Sequence, residues 1–217
     1  MWPFPTSILP PGSRGAALFV HHPVPPLPTS EAELIRGAVP RRREEFARGR
    51  AAARAALEAL GRPPSVIGVG RSREPLWPPG IVGSISHCPT VALAVVAPTS
   101  RIDALGVDVE VEAPLPEDVR PRVMDLQEAE SLERRAGLDT VGFSAKESIH
   151  KAIHPRTGVW LDFLDVRLVP DGGAPVLRAE PAHSQVPRPA ADLLDRLEIR
   201  WVIRDDLILT SAWVVAP

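Results

Sequence analysis

The sequence has a single cysteine, Cys88, so it can form neither a disulfide framework nor a cysteine-based zinc site. Its longest purely apolar run, residues 91–97, is far too short to span a membrane. The N-terminal segment lacks a basic region, and prolines interrupt it where the apolar part of a signal peptide would lie. These absences predict a soluble cytoplasmic protein without a membrane span.

Lysine is also scarce. Of the 25 basic residues only two are lysines, Lys146 and Lys151. An excess of arginine and alanine is typical of coding bias in a GC-rich genome, which exchanges lysine for arginine wherever either residue serves. Because a flexible ammonium and a planar guanidinium are not interchangeable at a tight site, the pattern indicates that arginine is excluded at these two positions.

Charge of neither sign dominates, since the net charge is −2 over 217 residues, and this gives no general attraction to nucleic acid. The distribution is nevertheless uneven. Residues 36–54 hold seven arginines against two glutamates, whereas residues 103–118 hold six carboxylates and no cation. The sequence therefore favours a polyanion site and a metal site at different places.

The periodic segments predict a mixed order of helices and strands. The first 30 residues contain eight prolines and predict extended irregular chain, and Ser30 with Glu33 predicts a capping box for a short helix. Hydrophobic periodicity then predicts a helix at 40–60 closed by Gly61, strands at 81–86, 91–97 and 105–112, helices at 125–136 and 143–153, strands at 163–169 and 175–179, and a hairpin of 197–203 with 207–215.

This order lacks regular βαβ alternation and therefore favours an α+β fold. A faint internal similarity links residues 90–98 (TVALAVVAP) with residues 210–217 (TSAWVVAP). It fits two related halves, although two apolar strands can also resemble each other by chance.

The long helix predicted at 40–60 carries arginines beside its apolar stripe. Arg50 falls at the edge of the stripe, and Arg43 and Arg54 flank it within about 20° on the helical wheel. Three arginines on one face suit a phosphate ligand, but they also suit an amphipathic helix whose arginines extend to solvent. The apolar members of the stripe are Phe46, Ala53, Leu57 and Leu60.

The segment GVDVE, residues 106–110, predicts a strand with two carboxylates on one face. Alternation directs Val107 and Val109 to the core and Asp108 and Glu110 to the opposite face, roughly 7 Å apart along the strand. That spacing suits two oxygen ligands of one hard cation. A solvated acidic face is the alternative interpretation, because Glu112 continues the pattern.

The segment FSAKESIHKAI, residues 143–153, predicts a helix that contains both lysines. Lys146 points into the apolar face between Phe143 and Ile153, and a lysine there needs an anionic partner. Glu147 and Lys151 are i, i+4 neighbours, which suits either an ordinary surface ion pair or a joint site for a divalent ion and a phosphate.

The segment GSISHC, residues 83–88, places Ser86 and His87 at the end of a strand. Adjacent strand residues face opposite ways and no GxSxG elbow is present, so a serine hydrolase is excluded. A hydroxyl and an imidazole at this position suit phosphate binding or a purely structural role.

Three motifs occur together in one order: PLWPPGIVGSISHC over residues 75–88, GVDVE over 106–110 and FSAKESIHK over 143–151. In order and spacing they resemble the Sfp-type 4′-phosphopantetheinyl transferases, and most of all the siderophore-synthesis branch. The resemblance covers residues 36–170. It implies two similar α/β halves related by a pseudo-twofold, with coenzyme A between them, and we expect the halves to span residues 1–102 and 103–217.

The resemblance also implies the roles of particular residues. Asp108, Glu110 and Glu147 resemble the family's ligands for Mg²⁺, which Mn²⁺ can replace, and Asp108, Glu147 and Lys151 are implied as catalytic. Because Ser72 stands where the family often has lysine, either Arg71 or Arg73 could reach the nucleotide. The residues that resemble coenzyme A contacts are Arg50, Arg54, Arg73, Ser86, His87, Lys146 and Lys151.

The implied reaction moves phosphopantetheine from coenzyme A to a serine of an apo acyl or peptidyl carrier protein and releases 3′,5′-adenosine bisphosphate. We expect a monomer that binds no nucleic acid. A metal-dependent phosphohydrolase or nuclease would use the same carboxylates but leaves Lys146 and the arginine face unexplained. A non-catalytic nucleotide-binding or carrier-binding module would not need the complete carboxylate triad.

Overall fold

Two antiparallel sheets of unequal size organise the chain, for which a computed structural model describes residues 4–136, 139–171 and 175–217. The first sheet has the order β1–β5–β4, the second has the order β6–β10–β9–β8–β7, and β2 with β3 forms a small hairpin. The strands are β1 (Arg14–Phe19), β2 (Gly68–Val69), β3 (Pro75–Leu76), β4 (Ile81–His87), β5 (Val91–Pro98), β6 (Ile102–Val111), β7 (Val166–Pro170), β8 (Val176–Pro181), β9 (Glu198–Arg204) and β10 (Leu207–Val215).

Each sheet is covered by one long helix. Helix α2 packs on the first sheet and α5 packs on β6 and β10 of the second. Two short 3₁₀ helices, Thr6–Ile8 and Phe163–Asp165, complete the described structure. The helices are α1 (Thr29–Leu34), α2 (Pro40–Ala59), α3 (Arg120–Val123), α4 (Leu126–Ala136), α5 (Thr140–Thr157) and α6 (Arg188–Leu194). The predicted α+β fold with two sheet-rich halves is confirmed.

A shared apolar core joins the two sheets. Leu93 and Val95 from β5 pack in one cluster with Val107 and Val109 from β6 and with Trp213 from β10. The similar segments detected in the sequence thus become β5 and the end of β10, and each of these strands has hydrogen-bonded neighbours on both sides. None of the described helices has the length and apolar character needed to cross a membrane.

Several predicted elements are confirmed at nearly their predicted bounds. Helix α2 ends beside Gly61, whose φ of 75° is the left-handed conformation that glycine adopts most easily. The last hairpin turns at Asp205 and Asp206, which both have positive φ, as the tight turn of a twisted hairpin requires.

Other predictions were wrong in part. The N-terminal 30 residues are not wholly irregular, because β1 lies in a proline-free stretch and pairs with β5; residues 1–3 lie outside the described range. No capping box forms at Ser30, since α1 begins at Thr29 without a side-chain cap, and the carboxylate of Glu33 accepts a hydrogen bond from Arg36. Residues 163–165 form a 3₁₀ turn before β7, and α6 was missed.

Gly106 allows α5 to lie directly against β6. A Cβ at this position would overlap the carbonyl oxygen of Ser148 and would lie 2.7 Å from the backbone nitrogen of Ala152. Because both atoms belong to the backbone of α5, the overlap could be relieved only by moving the helix. Gly106 therefore sets the distance between the strand and the helix that carry the motif carboxylates.

We predict that Gly106→Ala destabilises the fold by about 3 kcal/mol, since overpacking against a backbone cannot relax by a rotamer change. Gly37→Ala is the matched control, because a Cβ there meets nothing within 4 Å. Urea unfolding of both variants measures the difference. Equal midpoints for Gly106→Ala and the parent would contradict this account of the close packing.

Candidate functional site

A cleft of about 750 Å³ opens between the two halves. Helix α2 and the β2–β3 hairpin form one wall, and the ends of β4 and β6 with one face of α5 form the floor. The carboxylates that line it are Glu45, Asp108, Glu110 and Glu147, and the basic side chains that line it are Arg42, Arg50, Arg73, His87 and Lys151. Its volume suits a nucleotide-sized ligand.

Asp108 lies at the centre of the floor and is 3% exposed. One carboxylate oxygen, Oδ1, accepts hydrogen bonds from Ser86 Oγ at 2.7 Å and from Lys151 Nζ at 2.6 Å. The other, Oδ2, accepts one from Ser144 Oγ at 2.9 Å. The structure thus brings residues of all three sequence motifs into contact around one buried carboxylate.

Lys151 connects Asp108 to the edge of the cleft. Its Nζ also donates to Ser86 Oγ at 3.1 Å and lies 4.0 Å from Glu147 Oε2, the i, i+4 partner predicted from the sequence. The side chain keeps 27% of its surface exposed, so the ammonium can be reached by a ligand in the cleft. It places a positive charge between two carboxylates.

The surroundings of Glu110 and Glu147 on the cleft floor disfavour the ionised form of both carboxyl groups. Burial, followed by the charges of Asp108 and Glu147, raises the pKa of Glu110 to about 7. Burial and the charge of Asp108 also raise the pKa of Glu147. Carboxylates that raise one another's pKa are suited to share a cation, which would relieve both the repulsion and the desolvation.

The carboxylates of Asp108, Glu110 and Glu147 are neighbours in the cleft, but their oxygens do not converge on a single metal position. Within the described ranges, no group of three His, Cys, Asp or Glu side chains is arranged to hold a metal ion. Asp108 Oδ1 is engaged by Lys151 instead. The donor set of Asp108, Glu110 and Glu147, all oxygen ligands, is the kind that Mg²⁺ and Mn²⁺ prefer.

Arg50 is part of the cleft wall but is held by the protein itself. Its guanidinium donates to the carbonyl oxygens of Ile67 at 3.0 Å and Gly68 at 3.1 Å and lies 4.3 Å from the ring centre of Phe46. Burial lowers the pKa of Arg50 to about 10, so the group stays charged at neutral pH. The result is a fixed cation at the base of the wall.

Arg42 was missed by the sequence analysis and meets His87 across the cleft. Arg42 Nη1 donates to His87 Nε2 at 3.0 Å, which requires that nitrogen to be unprotonated. Burial lowers the pKa of His87, in agreement with a neutral ring. The cleft-facing residues 42, 45, 46, 49 and 50 follow helical i, i+3, i+4 spacing, so a helical wheel drawn for a polar face could have found Arg42.

Of the two arginines that could reach the nucleotide, Arg71 and Arg73, the position of Arg73 favours Arg73. Arg73 lines the cleft, whereas Arg71 does not. Arg73 occupies the loop of the β2–β3 hairpin with φ of 70°, a conformation that is uncommon for a residue with a side chain. The hairpin loop thus presents this guanidinium toward the same space as Arg50.

Arg54 lies away from the cleft. Its Nη1 pairs at 2.8 Å with Oε2 of Glu31, which is completely buried, and the other oxygen of Glu31 accepts the backbone N–H of Ile67. This ion pair fastens α1 and the chain before β2 to α2. Arg54 is therefore held by a protein carboxylate outside the cleft, and the phosphate contact expected from the sequence stays a prediction.

We predict that Arg54→Met destabilises the fold by about 3 kcal/mol, because it leaves the buried Glu31 carboxylate without its partner. Arg36→Met, which removes an exposed partner of Glu33, should change stability far less. Urea unfolding compares the two, and calorimetric titration measures coenzyme A binding. A stable Arg54→Met variant with strongly weakened coenzyme A binding would show a ligand contact instead.

Lys146 also lies away from the cleft, although its predicted need for an anion is confirmed. Its Nζ lies 3.0 Å from Glu128, a protein carboxylate rather than a bound phosphate. Helix α5 thus directs Glu147 and Lys151 to the cleft and Lys146 to the opposite side. Helical periodicity predicts that Lys146 needs an anionic partner, but it cannot tell which anion that is.

Comparison with known proteins agrees with the motifs. The family described as 4′-phosphopantetheinyl transferase N-terminal domain matches residues 30–97, and the 4′-phosphopantetheinyl transferase superfamily matches residues 104–201. The chain is 40% identical over 206 residues to 4′-phosphopantetheinyl transferase Svp of Streptomyces mobaraensis, covering 90% of this chain and 81% of the relative. It is 37% identical over 216 residues to 4′-phosphopantetheinyl transferase Npt of Nocardia iowensis, covering 94% and 97%.

A third relative carries a different name. The chain is 34% identical over 190 residues to enterobactin synthase component D of Salmonella typhimurium, covering 82% of this chain and 74% of the relative. The cleft residues at positions 42–87 fall within the first family match, and those at positions 108–151 fall within the second.

Proposed function

Because the chain belongs to the 4′-phosphopantetheinyl transferase superfamily, we propose that it transfers phosphopantetheine from coenzyme A to a serine of an apo carrier protein. The observation that carries the assignment to this cleft is the meeting of the three motifs at Asp108, where Ser86 and Lys151 contact the same carboxylate oxygen. The reaction releases 3′,5′-adenosine bisphosphate.

Asp108, Glu110 and Glu147 would hold the Mg²⁺, or Mn²⁺ in its place, that the family resemblance implies. When bound, the ion supplies positive charge at the diphosphate of coenzyme A, where negative charge develops as the phosphoryl group is transferred. The raised pKa of Glu110 and of Glu147 supports the fit, because a cation stabilises the ionised form of each carboxylate.

Glu147 is suited to take the proton of the attacking serine. Its side chain lines the cleft, where its carboxylate oxygens can accept that proton directly or through a water. Lys151, 4.0 Å from Glu147, can stabilise the departing phosphate or give it a proton. Glu147 is thus assigned to the attacking serine and Lys151 to the departing phosphate.

The wall of the cleft would bind the phosphates of coenzyme A. Arg50 and Arg73 face this space together with Arg42, and guanidinium groups bind phosphate through paired N–H donors. Ser86 and His87 end the strand that reaches the same space. We retain Arg50, Arg73, Ser86 and His87 as proposed contacts and add Arg42.

We predict that Arg42→Ala and Arg73→Asn each raise the KM for coenzyme A about ten- to a hundredfold, since a charge-assisted contact is lost. Asparagine tolerates the positive φ at position 73. Arg62→Ala and Arg71→Ala are matched controls, because these arginines are exposed and do not line the cleft. Steady-state kinetics should separate the two pairs.

Kinetics with dephospho-coenzyme A, which lacks the 3′-phosphate, show which phosphate each arginine binds. A variant that has lost its 3′-phosphate contact should show little further loss with this substrate, because the missing phosphate is the group that the arginine bound. If the variant raises the KM for coenzyme A and the KM for dephospho-coenzyme A by the same factor, the arginine contacts the diphosphate or contacts no phosphate at all.

The function itself is tested by incubating the chain with coenzyme A, Mg²⁺ and a panel of apo carrier proteins from fatty-acid, polyketide, peptide and siderophore synthesis. Intact mass should show the gain of one phosphopantetheine on at least one carrier. Release of 3′,5′-adenosine bisphosphate without any carrier would instead support the phosphohydrolase, which none of the relatives supports.

The relationship to enterobactin synthase component D supports a carrier of siderophore synthesis as one member of that panel. We further propose a cytoplasmic monomer, divided into residues 1–102 and 103–217. The boundary between the two family matches, which end at 97 and begin at 104, supports this division. Light scattering of the purified chain measures the oligomeric state.

A further inference from the structure

Lys146 and its partner Glu128 join α5 to four other structural elements on the side of α5 that faces away from the cleft. Its Nζ donates to the carbonyl oxygen of Val123 at 2.8 Å, to Glu128 at 3.0 Å and to the carbonyl oxygen of Phe163 at 2.9 Å. Glu128 in turn accepts the backbone N–H of Leu168 at 3.0 Å. The network therefore ties α5 to the end of α3, to α4, to the 3₁₀ turn and to β7.

This network leaves Lys146 nothing to offer a ligand. An ammonium has three N–H donors, and all three have protein acceptors. Lys146 is 3% exposed and Glu128 is 6% exposed, so neither can be reached from the cleft without disrupting the core. The lysine is fully used inside the protein.

We propose that Lys146 is a positioning residue that fixes the rotation and depth of α5 through Glu128, so that Glu147 and Lys151 face Asp108. On a regular helix, Glu147 and Lys151 lie about 100° and 140° around the axis from Lys146. A small rotation at the anchored side would therefore move both cleft residues together. This inference rests on the proposed function, because its effect is expressed in the rate of phosphopantetheine transfer.

The geometry also gives a reason for lysine rather than arginine at this position. The three acceptors surround a single nitrogen at 2.8–3.0 Å, an arrangement that a compact ammonium can satisfy. A guanidinium is larger and planar and holds its donors in one plane on three nitrogens. Arginine therefore cannot replace Lys146 without opening the contacts among Val123, Glu128 and Phe163.

The test combines Lys146→Met with Glu128→Gln, because the double variant removes both charges together. The new amide oxygen can still accept from Leu168, and its NH₂ group can donate to one of the carbonyls that Lys146 leaves. We expect the single Lys146→Met variant to lose much of its stability and the double variant to regain part of it. Thermal unfolding compares these variants with the parent.

Binding and rate are then measured on the folded double variant. Calorimetry should give a Kd for coenzyme A within about threefold of the parent, while kcat falls about ten- to a hundredfold, since a small misplacement of catalytic groups lowers the rate strongly. A tenfold or greater weakening of coenzyme A binding would identify Lys146 as a phosphate ligand. A kcat equal to that of the parent would show that Lys146 and Glu128 stabilise the fold without positioning the catalytic residues. Either outcome overturns the proposal.

Glu128→Asp provides a second variant if the double variant does not fold. It keeps both charges but withdraws the carboxylate by one methylene, so the anchor loosens while the ammonium remains. The proposal expects a lower kcat with unchanged coenzyme A binding, and an unchanged kcat contradicts it. Failure of the parent chain itself to modify any carrier would count against the proposed function, which is a separate result.

Discussion

Asp108→Asn is expected to lower the rate of carrier modification by at least about a hundredfold in a chain that remains folded. Asparagine has nearly the same shape, but its single side-chain oxygen can replace only one of the two oxygens that accept from Ser86 and Ser144, and it carries no negative charge for Lys151 or for a divalent ion. Removal of one preorganised electrostatic partner commonly costs two to three orders of magnitude, about 10²–10³. Intact mass of the carrier, sampled over time, measures the rate.

Asp103→Asn is the matched control on the same strand. Asp103 pairs with the exposed side chain of Arg156 at 2.7 Å and does not line the cleft, so this variant should keep the parent rate. Asp108→Ala should lose transfer as well, with additional instability, because it leaves buried donors without an acceptor. Excess chelator should stop transfer by the parent, and full activity in chelator would refute the metal assignment of Asp108, Glu110 and Glu147.

Lys151→Arg is expected to lower kcat by about tenfold or more with little change in coenzyme A binding. The substitution keeps the charge but replaces a group that fits between Asp108 Oδ1 at 2.6 Å and Ser86 Oγ at 3.1 Å. A guanidinium is wider and cannot donate a proton to a leaving phosphate, because it stays charged at all accessible pH values. Loss of one general acid is commonly worth about 10²-fold or more in rate.

Lys151→Met separates the charge of this residue from its identity. It should lower kcat further than Lys151→Arg, because Asp108 then loses its cationic partner as well. Steady-state kinetics and calorimetry on purified, folded variants provide both constants. If Lys151→Arg matches the parent in kcat and KM, lysine at position 151 reflects codon usage and not mechanism.

The regular elements were predictable where the pattern was long. Helix α2 and the hairpin of β9 with β10 were found at nearly their observed bounds, because many residues repeat one periodicity. Strand β1 and helix α6 were missed, since each is short and the segment before it is rich in proline. Their formation depends on neighbours that are distant in sequence, such as β5 for β1.

The candidate site was predictable to the extent that its chemistry follows motifs. Asp108, Glu147 and Lys151 were identified by residue type and spacing, and the structure brings them together. The family resemblance assigned Arg54 and Lys146 to coenzyme A, but each pairs with a buried glutamate. A sequence shows that a cation needs an anion, and only the packing shows whether that anion is a ligand or another residue.

The amino-acid sequence by itself determined the family and the helical and strand periodicities, because these depend on local pattern and residue chemistry. The tertiary structure alone decided which cations face the cleft. Arg42 reaches it through the polar face of α2, whereas Arg54 and Lys146 are turned inward to Glu31 and Glu128. That choice depends on how the helices pack against the two sheets, and packing joins residues that no spacing rule relates.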